Sequence, residues 1–112
     1  MLLDAVIKEL DLEIRYSSDA LGKPISGVYI SDLLSDVIAN AEAGNLWLTL
    51  QVHPNIIAVA SLKELAGIIL VNGRQPDPET LKKAEEEQVP LLSSRLPTFE
   101  LAGRLYLMMR RC

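Results

Sequence analysis

Gly67-Ile68-Ile69-Leu70-Val71, closed by Asn72-Gly73, decides how the rest of the chain is read. It is apolar without interruption and rich in β-branched side chains. Runs of this kind belong to strands buried on both faces. Such a strand needs a covering layer above and below, and parallel neighbours need crossovers between them. The stretch therefore predicts the centre of a parallel sheet.

The flanking segments fit that prediction. Upstream, Ile56 to Leu65 reads as the crossover helix, although Ile56-Ile57-Ala58-Val59-Ala60 alone fits a strand equally well. Ser61 and Glu64 have the spacing of a capping box that would restart the helix. Leu46-Trp47-Leu48-Thr49-Leu50 reads as the strand before it, turned by Val52-His53-Pro54-Asn55, with Pro54 suited to a first helical turn. Downstream, Asn72 to Pro76 is a loop, and Asp77-Pro78 is an N-cap followed by a first-turn proline. A helix then runs from Glu79 to Gln88. Val89-Pro90-Leu91-Leu92 reads as the last strand, its proline marking a sheet edge or the first ladder position. Phe99 to Met109 closes the chain with Leu101, Ala102, Leu105, Met108 and Met109 on one stripe.

Towards the N-terminus, Val28-Tyr29-Ile30 reads as a short buried strand. Ser31 or Asp32 can cap the next helix, which carries Leu33, Leu34, Val37, Ile38 and Ala41 on one face. Gly44 then suits a left-handed cap. Leu2, Leu3, Val6, Ile7 and Leu10 recur at helical spacing. Leu12 to Tyr16 alternates apolar and charged residues, as an edge strand does. Ser17 to Ser26 reads as a loop. The sum is an α/β fold, a single three-layer domain over residues 1–112. It has a mainly parallel sheet of about five strands and helices on both faces.

Composition narrows the function classes. The net charge is −4 and no cationic run exceeds Arg110-Arg111, which argues against nucleic acid as a partner. Cys112 is the only cysteine, so an internal disulfide, a zinc cluster and a CxxC redox pair are excluded. A free thiol in a reducing cytosol is the expected state. The N-terminus has acids and no basic n-region, and no apolar stretch reaches membrane-spanning length. A cytoplasmic location, without membrane contact, is expected. Hydrophobic residues make up 49% of the chain, more than a domain of this length hides easily. Leu3, Ile7, Met108 and Met109 are therefore expected to form a contact surface.

No phosphate loop, GxGxxG or GxSxG motif occurs. The sole histidine, His53, lacks a partner nucleophile and suits a structural role better than a general base. Asp32 and Asp36, one helical turn apart, form either a solvated acidic face or, less readily, a cation site. Neither an enzyme nor a resident cofactor is expected. The best candidate site is positional, because parallel sheets bind ligands beyond the carboxyl ends of their strands. Ser31 and Asp32, Gln51, His53, Asn55, Asn72 with Gly73 and Arg74, and Ser93 with Ser94 fall there. These hydrogen-bonding residues would suit a small anionic ligand.

From Trp47 to Leu105 the chain resembles a DRTGG domain. The likeness rests on the segment Ile56 to Leu62 leading through Gly67 to Val71, on Asn72-Gly73 followed by Pro76-Asp77, and on Leu96-Pro97-Thr98-Phe99-Glu100-Leu101-Ala102. His53-Pro54-Asn55 stands where the family has aspartate-arginine, and Val71-Asn72-Gly73 where it has threonine-glycine-glycine. Contacts made through those missing side chains are not carried over. Such modules occur in some phosphotransacetylases and regulated pyrophosphatases, and related ones form the N-terminal part of HPr kinase, whose phosphate loop lies in its other domain. The resemblance implies regulation and subunit contact. It favours a non-enzymatic homodimer, possible contact with a protein partner, and, as the alternative, a module binding a nucleotide or another anionic metabolite.

Overall fold

The computed structural model describes residues 1–17 and 22–111. In chain order the elements are α1 (Leu3–Glu9), β1 (Glu13–Tyr16), β2 (Gly27–Ile30), α2 (Leu34–Asn40) and β3 (Asn45–Thr49). Then come α3 (Asn55–Leu62), β4 (Gly67–Leu70), α4 (Pro78–Glu87), β5 (Leu91–Ser93) and α5 (Thr98–Arg110). The strands form one sheet in the order β1-β5-β4-β3-β2. β2 to β5 run parallel, and β1 lies antiparallel on the outside of β5.

Side-chain alternation sorts the core into two layers. Leu46, Leu48, Ile69, Val71 and Leu92 face α1 and α5, against Leu3, Val6, Leu101, Leu105 and Met108. Trp47, Ile68, Leu70 and Leu91 face the other way, onto Val37 of α2, Ile56, Ile57 and Ala60 of α3, and Ala84 of α4. The crossover helices thus share one face, and the helices at the chain ends cover the other. β4 is the middle strand, as its unbroken apolar run requires.

Ile56 to Ala60 is helix, although its sequence also suits a strand, because parallel β3 and β4 cannot be joined without a crossover. The helix stops at Leu62, and Glu64 takes a left-handed conformation with φ 55°. Ser61 and Glu64 therefore form no capping box. β2 is not a buried strand but the open edge beside β3, and Ile30 is exposed. Of the apolar face of α2, Val37 and Ala41 are buried, while Leu33 and Ile38 remain at the surface.

Neither Ser31 nor Asp32 caps α2; its N-cap is Leu33, without a side-chain bond. Gly44 is left-handed, with φ 84°, but in the turn before β3, because α2 already ends at Asn40, with Ala41 as its C-cap. A Cβ there would fall 2.8 Å from the Ser26 hydroxyl oxygen. Pro90 marks the start of a ladder and not an edge, since β1 lies outside β5 and the Pro90 carbonyl accepts from Ile68 N–H at 3.0 Å. Part of the loop read over Ser17 to Ser26, and the terminal Cys112, lie outside the described residues.

The largest correction concerns the chain ends. Leu3 is fully buried and Met108 is 4% exposed. The two terminal stripes face the same side of the sheet and complete one core there, so neither residue awaits a second surface.

Ile69 is fully buried between β3, β5 and the terminal helices. We expect Ile69→Ala to lower the unfolding free energy by about 2–5 kcal/mol in denaturant titration, through lost transfer energy and a residual cavity. A loss well under about 1 kcal/mol would contradict the central placement.

Candidate functional site

Parallel strands deliver their following loops to one edge of the sheet, so β2, β3, β4 and β5 all end there. Antiparallel β1 begins there, because Glu13 pairs with Ser93. The α1–β1 turn thereby joins the carboxyl edge. The polar residues of this edge fall into separate groups.

At the β2–β3 end, Asp32 is a brace. Its Oδ1 accepts from Thr49 Oγ1 at 2.9 Å and from Leu50 N–H at 2.7 Å, and Gln51 Nε2 donates to its carbonyl at 2.9 Å. The Ser31 carbonyl accepts from the buried Trp47 Nε1 at 2.8 Å. Ser31, Asp32 and Gln51 are brought together, but by bonds to one another and to the strands. Asp36 does not share a site with Asp32. Tyr29 Oη donates to it at 2.9 Å and Asn40 Nδ2 at 2.9 Å.

His53 Nδ1 lies 2.8 Å from Asp77 Oδ2, which ties the β3–α3 loop to the start of α4. Asp77 occupies the N-cap position, yet its carboxylate makes no cap bond. Thr80 Oγ1 reinforces the junction by donating to the Val52 carbonyl at 2.6 Å. Asn55, the first residue of α3, is exposed beside this junction.

At the β4–β5 end the loops are stitched through their backbones. Asn72 and Gly73 both take left-handed conformations, with φ 59° and 71°. Asn72 N–H donates to the Leu96 carbonyl and Gly73 N–H to the Ser94 carbonyl, each at 2.8 Å. Ser93 Oγ donates to the Arg74 carbonyl at 2.7 Å. Beside these loops an open cleft of about 760 Å³ runs to the α1–β1 turn. Of the residues expected at the site, Gly73, Ser93 and Ser94 line it. Ser31, Asp32, Gln51, His53, Asn55, Asn72 and Arg74 do not. Asp11, Glu13, Gln75, Arg95 and Arg104 line it too, and the sequence reading missed them. Arg95 had a legible signal, since it follows Ser93-Ser94 directly. Asp11 and Glu13 had none, because only the pairing of β1 with β5 brings them there.

Among the described residues, no group of three or more His, Cys, Asp and Glu is placed to hold a metal ion, and no helix is long and apolar enough to cross a membrane.

The Ser31 hydroxyl, then the Asn40 amide and the Tyr29 phenol, hold Asp36 below the usual carboxylate range. The Tyr29 phenol is raised, chiefly because it donates a hydrogen bond to Asp36. A carboxyl with a lowered folded pKa contributes stability above its unfolded value, and this is lost as pH falls through the folded one. We expect the denaturant midpoint of the wild type to exceed that of Asp36→Asn at neutral pH. The gap should close as pH falls below the ordinary aspartate value of 3.8. A gap that is constant down to strong acid would contradict this assignment.

The comparisons with known proteins bear on the whole fold. The family model for the DRTGG domain matches residues 6–108. No curated protein matches the chain in sequence. The fold is similar to the CBS and DRTGG domains of the regulatory region of a Clostridium perfringens pyrophosphatase, in a crystal structure complexed with the activator diadenosine tetraphosphate. That similarity has a TM-score of 0.70 at 15% identity, over 91% of this chain and 44% of that one. The chain thus spans less than half the length of that regulatory region. With the family model covering all but the chain ends, this chain belongs to the DRTGG domain family.

Proposed function

We propose that residues 1–112 act as a non-catalytic regulatory domain that works as a homodimer, paired through the outer face of α5. The observation that carries this reading is the apolar exposure of that helix. Phe99 is 92% exposed, Tyr106 61% and Leu107 65%. Phe99, Gly103 and Tyr106 follow one another at intervals of four and three residues and so share a face. Apolar side chains clustered at a surface mark contact sites more often than chance exposure does.

The face is suited to itself. Gly103 leaves open space where a Cβ would stand, so a second copy could approach the helix closely there. Glu100, already paired with Arg104, lies in the first turn and Arg110 in the last, so an antiparallel pair of α5 helices about a two-fold axis would set opposite helix-end charges near each other. Arg110 already covers one side of Tyr106, with its guanidinium 5.7 Å from the ring centroid. This face replaces Leu3 and Met108 as the contact.

The second reading, a module for a small anionic metabolite at the carboxyl edge, is favoured by the nucleotide activator bound by the similar pyrophosphatase region. The charge balance of −4 argues against nucleic acid as a partner. The two readings use neighbouring surfaces, since Arg104 of α5 also lines the cleft at the strand ends.

Sedimentation velocity tests the dimer. We expect the wild type to sediment as a dimer at micromolar concentration, and Phe99→Asp with Tyr106→Asp to sediment as a folded monomer. A wild type still monomeric at hundreds of micromolar would refute the reading. A dimer that survives both changes would place the interface elsewhere. Met108→Asp is the wrong probe, since it buries a carboxylate and would unfold the domain.

A further inference from the structure

We propose that the cleft between the β4–α4 loop and the α1–β1 turn binds a hydroxylated phosphate monoester. The phosphate lies on Arg95 and Arg104, and the sugar hydroxyls lie on Asp11 and Glu13. The inference rests on the second reading above and gives it a place and a chemistry. At about 760 Å³ the cleft falls within the size of small-molecule sites.

Its cationic wall is available. Arg95 is exposed and makes no ion pair among the described residues. Arg104 touches Glu100 through Nη2 alone, at 2.9 Å, and its other N–H groups are uncommitted. A guanidinium pair suits phosphate oxygens through short charge-assisted bonds. Ser94 adds a further donor to the lining. It is only 5% exposed, and its oxygen accepts from Leu96 N–H at 3.1 Å. No described residue accepts its hydroxyl proton. Gly73, beside it, is left-handed and has no neighbour where a Cβ would stand, so a ligand can approach the backbone.

The acidic residues of the lining give the ligand class. Asp11 and Glu13 bring carboxylates into the same cleft, that of Glu13 already accepting from Arg15 Nη1 at 2.7 Å. Their negative charge disfavours a bare phosphate dianion in the same cleft. They accept hydrogen bonds from vicinal hydroxyls, as an acidic residue does from a ribose in dinucleotide sites. Arginines and carboxylates lining one cleft therefore select a phosphate joined to a sugar over free phosphate.

The test is a titration of the isotope-labelled full chain by NMR, with adenosine monophosphate and with inorganic phosphate as probes. Arg95→Gln and Asp11→Asn alter exposed side chains, and asparagine tolerates the left-handed backbone at position 11, φ 51°. The spectrum of each variant verifies its fold. We expect the nucleotide to shift resonances of Gly73, Ser94 and Arg95. Arg95→Gln should weaken both probes about tenfold or more. Asp11→Asn should weaken the nucleotide and leave inorganic phosphate no weaker. Saturable nucleotide binding that ignores both substitutions and shifts other residues would overturn the cleft while leaving the second reading intact. Absence of saturable binding by either probe would overturn both.

Discussion

The burial of β4 on both of its faces is the constraint from which the rest of the structure follows. Ile68 and Leu70 point into one layer of side chains and Ile69 and Val71 into the other. At roughly 25 cal/mol for each Å² of apolar surface removed from water, such a strand repays its ordering only if both layers exist. The crossover helices α2, α3 and α4 supply one layer. Because parallel crossovers of one hand place their helices on the same side, they cannot supply the other. The chain ends must, and α1 and α5 do so with Leu3, Val6, Leu101, Leu105 and Met108.

That division of labour accounts for the apolar content. A chain with 49% hydrophobic residues has a surplus only if each terminal helix needs one narrow stripe. Here both terminal helices share the whole rear face of the sheet and absorb their stripes together. Part of the surplus that remains lies on the outer side of α5 at Phe99, Tyr106 and Leu107, and the rest is spread over Leu2, Ile14, Ile30, Leu33, Ile38 and Leu62. Methionine in the last helix fills a core against several neighbours, a use its unbranched side chain serves well.

The same arrangement sorts the polar residues by purpose. Asp32, Thr49 and Gln51 spend their bonds on one another, and His53 spends its own on Asp77. These contacts lock loops that crossovers would otherwise leave loose, which is why residues typical of binding sites hold the scaffold together here. Uncommitted donors collect at the other end of the edge, where Arg95 and the Ser94 hydroxyl meet the α1–β1 turn. Antiparallel β1 is the cause, since its pairing with β5 carries Asp11 and Glu13 to the carboxyl side of a sheet that is otherwise parallel.

By itself the sequence determined whatever depends on local pattern. The unbroken run of β4, the stripe of α5, the turn at Asn72-Gly73 and the proline opening α4 each follow from periodicity or backbone sterics within a few residues, and the parallel fold class follows from their alternation. It also marked the edge of the sheet where loops would gather, since that edge follows from strand direction alone. Tertiary structure alone decided which strand stood outside which, so Val28 to Ile30, read as buried, became an edge, and Pro90 fell inside the sheet. It decided that Leu3 and Met108 belonged to one core, because a helical stripe shows that a face is apolar and not what covers it. It decided too that Asp32 braces the β3 strand end while Asp36 holds Tyr29, although the two carboxylates stand one turn apart in sequence. Hydrogen-bond partners lie across the fold, at separations that no local pattern encodes.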